Sequence, residues 1–218
     1  LDYRFPDPDT LVPEIGRRLA ALRRSLGPAR RERVQGVGVA APLAIGGWQQ
    51  LLGFPAELAA RWEQVDLQHA VQDTSPWPVL LVKDTAAACV AELVAGQGRS
   101  VSSFLYVFVD TFVGGGLVLD SQLRPGTHGN AGALGSLPLW LSRGAHEAPP
   151  AQLLSVASLL NLEQAWAGAG LDTAADTQGQ ALSTPWKPHT TRWLDMAGAA
   201  IAQAINGAAC LLDVEGVI

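Results

Sequence analysis

Three short stretches of the 218-residue chain hold side chains of a type and spacing that suit chemistry. The first is Lys83-Asp84-Thr85, directly after the apolar run Val79–Val82. A carboxylate that closes a buried strand of an open α/β sheet points into the ligand crevice. From there Asp84 could take a proton from a sugar hydroxyl as that hydroxyl attacks a phosphoryl donor. It could equally cap the helix that follows. The second stretch is Thr111 with Gly114-Gly115-Gly116. Consecutive glycines let backbone N–H groups converge on an anion, and a threonine hydroxyl can add to them. A tight hairpin turn that needs positive φ explains the same residues. The third is His128-Gly129-Asn130-Ala131-Gly132. Small residues here present Asn130, whose amide suits sugar hydroxyls, though ordinary loop chemistry uses the same residues.

These residues need elements to hold them, and the sequence supplies a plausible set. Thr10 reads as an N-cap with Glu14 in the first turn. Leu11, Ile15, Leu19, Leu22 and Leu26 follow at helical spacing until Gly27-Pro28. Arg17, Arg18, Arg23 and Arg24 read as the solvated face of that helix, with Arg30, Arg31 and Arg33 beyond it. Nucleic-acid contact is the alternative. Val34–Ala41 reads as a buried strand and Leu43–Phe54 as a loop. Short helices are expected at Pro55–Trp62 and Asp66–Gln72. Val79–Val82, the turn Lys83–Thr85 and the helix Ala86–Gly96 form a strand–turn–helix unit. Phe104–Val109 is a strand, Asp110–Gly116 a turn, and Leu117–Leu119 the start of a return strand. Arg124–Gly135 is glycine-rich coil leading into a short helix. Gln152–Ala169 is helical, Asp172–Lys187 a loop, and Thr190 or Thr191 caps a helix reaching Leu212. Val214–Ile218 opens a last strand, so the chain reads as stopping inside it.

Bulk composition bounds the rest. At 48% hydrophobic and 16% charged, the chain can bury a core and shows no sign of disorder. A net charge of −5 gives the surface as a whole no attraction for nucleic acid. Cys89 and Cys210 lie in alanine-rich helical stretches and read as reduced core residues of a cytoplasmic protein. The chain opens at Leu1, which suggests a fragment or a processed chain, and no leader opens it. Val79–Val82 is far too short to span a bilayer, so no membrane association is expected.

Taken in order, the pieces resemble the ROK family of sugar kinases and sugar-responsive repressors. The resemblance is carried by Val34–Pro42 with Trp62, Val79–Ala88 with Glu92, Phe104–Gly116 and Gly126–Gly135, so that roughly residues 30–140 take part. The family's usual forms are N-D-A/N-x-A-A-x-x-E, G-T-G-x-G-G-G and G-x-x-G-x-A-G-E-x-G-H. The resemblance implies an α/β protein with the two-lobed, ribonuclease H-like fold of actin-like ATPases, incomplete here. It places the lobes at residues 1–102 and 103–218, with helix 191–212 able to pack back on the first. A cleft between them would hold Asp84 and the Gly114–Gly116 turn on opposite walls. It implies that Asp84 is the catalytic base, that Thr111, Gly114, Gly115 and Gly116 hold donor phosphates, and that Lys83, Asp84 and Asn130 meet the sugar.

The departures from the family pattern shape the functional expectation. Gly-Thr-Gly reads Asp110-Thr111-Phe112, putting a carboxylate where phosphate should sit. The family's sugar-gripping Glu is Ala133, and its sugar- and zinc-binding His is Ser136. No cysteine lies between Cys89 and Cys210, so no zinc is expected. The family's first strand hairpin is missing from residues 1–33, and its adenosine segment would lie beyond Ile218. The expectation is the sugar-sensing effector domain of a regulator without a cofactor in this chain, DNA being bound only through a segment upstream. The alternative is an ATP- and Mg-dependent sugar kinase. A third reading is a dimerisation module, with Trp140, Trp166, Trp186 and Trp193 at its interface.

Overall fold

The computed structural model describes residues 5–139, 151–175 and 178–218. They form two compact units, Leu1–Asp84 and Thr85–Ile218.

The first unit opens with α1 (Pro8–Ser25). Its N-cap is Asp7 rather than Thr10, because the Asp7 carboxylate accepts the N–H of Asp9 at 3.0 Å and Pro8 presets the first helical φ. Leu11, Val12, Ile15 and Leu19 turn into the core, and Gly16 lets α1 close on Thr74, where a Cβ would come within 2.7 Å. Glu14 is buried, and Arg17 and Arg18 hold its carboxylate. The helix ends at Ser25 with Leu26 as its C-cap, and after Gly27 the residues Pro28–Arg31 form the single turn α2. Strand β1 (Val37–Ala41) starts three residues later than expected, since Arg33 and Val34 still close the turn of α2. Leu43–Phe54 is not a plain loop. It holds a 3-10 turn at Ile45–Trp48 and the short α3 (Gln49–Leu52), ended by Gly53 at φ +68°. Then come α4 (Ala56–Glu63), α5 (Leu67–Thr74) and β2 (Val79–Lys83). β2 pairs parallel to β1 from Val37↔Val79 to Ala41↔Lys83, the helices forming the crossover. Phe54, Leu58, Trp62, Leu67 and Val71 fill the space between helices and strands.

The second unit is a four-stranded sheet between helices. α6 (Asp84–Ala95) follows β2 with no intervening turn, so Asp84 is its first helical residue. α6 packs in the second unit, through Cys89 and Leu93 against Phe104 and Val118. β3 (Phe104–Phe108) and β4 (Gly114–Leu119) pair antiparallel. Asp120 and Ser121, at φ +55° and +59°, make the tight turn into β5 (Gln122–Leu123), a strand beyond those expected from the sequence. The expected helix at 152–169 is broken at Ser158 into α7 (Leu154–Ala157) and α8 (Leu159–Gly168). The long α9 (Lys187–Leu212) starts ahead of Thr190, with Pro188 in its first turn. β6 (Gly216–Val217) pairs parallel to β3, giving the order β5-β4-β3-β6.

α9 is long and apolar enough by composition to cross a membrane. Its stripe Ala197, Ala200, Ala204 and Ala208 instead meets Leu105, Val113, Leu134 and Leu153 in the second unit's core. Cys210 falls off that stripe and is exposed, which corrects the expectation of two core cysteines. Cys89 is buried. Trp166 is fully buried beside Leu162, with Trp186 and Trp193 half-buried in the same cluster, so Trp166 belongs to the core and not to an interface. Trp140 lies outside the described residues.

Candidate functional site

Lys83 and Asp84 stand at the carboxyl end of the parallel pair β1–β2, Lys83 opposite Ala41. Both are half-buried. Backbone chemistry favours ligands at this end of parallel strands, where side chains diverge and helices begin. The same end of β1 opens on a cleft of about 710 Å³, walled by Pro42–Gly47 and the corner between α4 and α5. Glu63, Gln64 and Asp66 give it polar groups. Asp66 caps α5, its carboxylate accepting the His69 N–H at 3.0 Å and the His69 ring Nδ1 at 2.7 Å. Those two bonds hold the Asp66 carboxyl below its usual range, the backbone bond contributing most. In return the side-chain bond to Asp66 raises His69. The sequence singled out Asp84 and missed this cleft, although Asp66 followed by a short apolar run is an N-cap signature.

The turn of the second unit runs from Val109 to Val113 and differs from expectation in a specific way. Gly114, Gly115 and Gly116 are not in it: they are the first residues of β4, paired with Phe108, Val107 and Tyr106. None of the three has a positive φ. They are glycine because the chain approaches closely from both faces. A Cβ on Gly114 would sit 2.8 Å from Thr85 Cγ2, and one on Gly116 2.8 Å from Cys89. A Cβ on Gly115, facing the other way, would sit 2.5 Å from the Tyr106 carbonyl oxygen and 2.8 Å from that of Gly132. The period of two along a strand sends 114 and 116 to α6 and 115 to the Gly126–Gly135 loop.

Four backbone groups of the true turn are bound within the protein. Asp110 accepts its neighbour's N–H, from Thr111, at 2.6 Å. The Val113 N–H donates to Ser158 Oγ at 3.0 Å. The carbonyls of Asp110 and Thr111 accept from Leu159 and Leu160, the first N–H groups of α8. The donors of the turn at 111 and 113, and those opening α8, are therefore engaged within the protein. Thr111 is exposed, and the Asp110 carboxylate is exposed beside it. Breaking the helix at Ser158 is what makes this clasp, and no local sequence signal pairs residue 110 with 159.

Asn130 and His128 are exposed on the loop after β5, where Gly126, Gly129 and Gly132 take φ between +72° and +76°. Asn130 borders a cleft of about 570 Å³ between this loop and α9, otherwise lined mainly by apolar side chains such as Leu105, Leu134 and Leu211. Gln203 of α9 donates to the Leu139 carbonyl at its rim. Ala133, at the position of the expected Glu, brings no charge to this wall, and Ser136, at the position of the expected His, does not line it. Among the described residues no three His, Cys, Asp or Glu side chains converge on a common point.

The sequence pattern of the ROK family matches residues 3–218. The xylose repressor of Bacillus subtilis is 25% identical over 104 residues, 48% of this chain and 26% of the repressor. The N-acetylmannosamine kinase of Haemophilus influenzae is 41% identical over 58 residues, 27% of this chain and 19% of the kinase. The matched stretches thus span about a quarter or less of those relatives. Among solved structures, a ROK transcriptional regulator homologous to E. coli MLC superposes with a TM-score of 0.64 at 20% identity. That match covers all of this chain and 57% of the regulator, and it establishes the shared fold.

Proposed function

The chain belongs to the ROK family, with its actin-like ATPase fold, and from that premise we propose that it is the sugar-sensing effector part of a transcriptional regulator that does not transfer phosphate. One observation carries the reading. At the turn where the family holds donor phosphate, the N–H groups of Thr111 and Val113 are bound internally and Asp110 supplies a negative charge. Phosphoryl transfer depends on donors and cations aimed at the phosphate. This turn offers a carboxylate and, at 111 and 113, N–H groups already engaged, which is a poor fit for the phosphates of a nucleotide triphosphate. Sugar recognition makes no such demand. Lys83 and Asn130 carry groups suited to sugar hydroxyls, Asp84 lies next to Lys83 at the end of β2, and the cleft beside Asp66, at about 710 Å³ and with Glu63, Gln64 and Asp66 on its wall, has room for a monosaccharide. In this reading the protein works as a dimer and meets DNA through a segment upstream of Leu1.

A sugar kinase is the second reading, and the position of Asp84 at the carboxyl end of a parallel strand favours it. The two are separated by one pair of measurements on a panel of hexoses and N-acetylhexosamines. A sensing module gains stability from its sugar: at a hundredfold excess over Kd about 2.7 kcal/mol, or about 5–11 °C in Tm for a chain of this size. It releases no ADP from ATP above background. ADP release with any sugar, abolished in Asp84→Asn, would overturn the regulator in favour of the kinase. The absence of both signals would overturn sugar sensing itself.

A further inference from the structure

The charge of this chain is strongly polarised. Seven of its fifteen Lys and Arg residues lie between positions 17 and 33 with a single acid, Glu32. That segment carries +6 in a chain whose total is −5, so the remainder carries −11. All seven arginines are exposed. Arg17 and Arg18 share Glu14, and the Arg31 guanidinium donates to the Leu26 carbonyl at 2.7 Å and the Arg24 carbonyl at 3.4 Å. Arg31 thereby ties α2 back onto the carboxyl end of α1, where a cation complements the helix dipole. The tie sets α2, with Arg30 in it and Arg33 just beyond it, against the end of α1 that carries Arg23 and Arg24. Those four guanidinium groups have no acidic partner among the described residues.

From this we propose that the α1–α2 corner is a binding surface for the phosphate backbone of duplex DNA. Like charges concentrated on one rigid corner repel each other, and a polyanion relieves that repulsion while releasing its counterions. Two features narrow the polyanion. The apolar side of α1, through Leu11, Ile15 and Leu19, is already packed in the first unit's core, so the helix cannot lie apolar-face-down in a lipid surface. No aromatic residue occurs between Gly16 and Gly36, so the corner has no platform for stacking unpaired bases. Guanidinium groups without aromatic neighbours fit the regularly spaced phosphates of a duplex, without reading its sequence. The charge on this corner is the same whether the second unit senses a sugar or transfers phosphate.

The test is fluorescence anisotropy of the full 218-residue chain with a labelled 20-base-pair duplex of arbitrary sequence. Four engaged phosphates predict a slope of log K against log salt of about −3.6. Affinity should then fall about a hundredfold between 50 and 200 mM salt. The variant R23Q/R24Q/R30Q/R33Q should lose nearly all binding with Tm unchanged, since these side chains are exposed. R61Q, outside the corner, should bind like the parent. The proposal is overturned if the parent fails to bind at 50 mM salt, if the fourfold variant binds as well as the parent, or if single-stranded oligo-dT or phosphatidylserine vesicles bind more tightly than the duplex.

Discussion

The clasp between the Val109–Val113 turn and α8 includes a side-chain bond, from the Val113 N–H to the Ser158 hydroxyl, and Ser158→Ala measures that bond. Ser158 is 1% exposed. Its Oγ accepts the Val113 N–H at 3.0 Å and donates to the Leu154 carbonyl at 2.5 Å. Truncation to alanine leaves the Val113 N–H without a partner in a dry setting. A buried donor left unmade costs about 1–3 kcal/mol, and the lost donor to Leu154 adds to that, so about 2–3 kcal/mol is expected. For a chain of this size each kcal/mol lowers Tm by about 2–4 °C, giving a drop of about 4–12 °C. Ser155→Ala is the matched control. Its hydroxyl also donates to a carbonyl, that of Gln152 at 2.7 Å, but in the open, so it should cost under about 0.5 kcal/mol. Urea unfolding followed by circular dichroism yields both values. If the two variants lie within about 0.5 kcal/mol of each other, Val113 is not held by Ser158. The Val113 N–H would then be free to meet a phosphate.

Gly115→Ala should destabilise by about 1–3 kcal/mol in the same assay. The new methyl would meet two backbone oxygens, of Tyr106 and Gly132, and neither can rotate away. A neutral outcome would mean that the glycine serves something other than close packing. Burial pushes the Cys89 thiol up to about 11, so it stays protonated and slow to react at pH 8, whereas Cys210 is exposed. A thiol reagent at pH 8 should therefore label about one cysteine in the native chain and two in guanidinium, and rapid native labelling of both would refute the burial of Cys89. His69 is raised by Asp66, so their pairing contributes fully below the ordinary histidine range and is lost as pH rises through the folded value. An NMR titration of the His69 ring should show a lower midpoint in Asp66→Asn than in the parent, and equal midpoints would dissolve the pair. Both groups are exposed, so the effect on stability is small.

Local signals in the sequence were enough for elements held by local forces. α4, α5 and α6 fall within two residues of the periodicity that announced them, and β2 and β3 within one. Each is bounded by a nearby cap or breaker, such as Asp66 ahead of α5. The failures occur where a distant partner decides. Thr10 was a reasonable N-cap, but Arg61 reaches both Asp7 and Asp9, at 3.1 and 2.8 Å, and helps hold the helix start one turn earlier. The run 152–169 has no proline or glycine before Gly168 to break it, yet Ser158 leaves the helix to serve the hairpin turn.

The glycine triplet shows why the site was only partly legible. Glycine answers two demands, positive φ and the absence of a Cβ, and a sequence does not say which one is being made. Here the demand is steric, set by Cys89 and Thr85 on one side of β4 and by Tyr106 and Gly132 on the other. Glycines required for packing would be present whether or not a phosphate ever binds nearby. Their survival therefore does not speak for kinase chemistry. The functional weight moves to the residues packing leaves free to vary, the exposed Asp110 and Thr111 at the turn. One of those two is a carboxylate, and the proposed regulator reading rests on it.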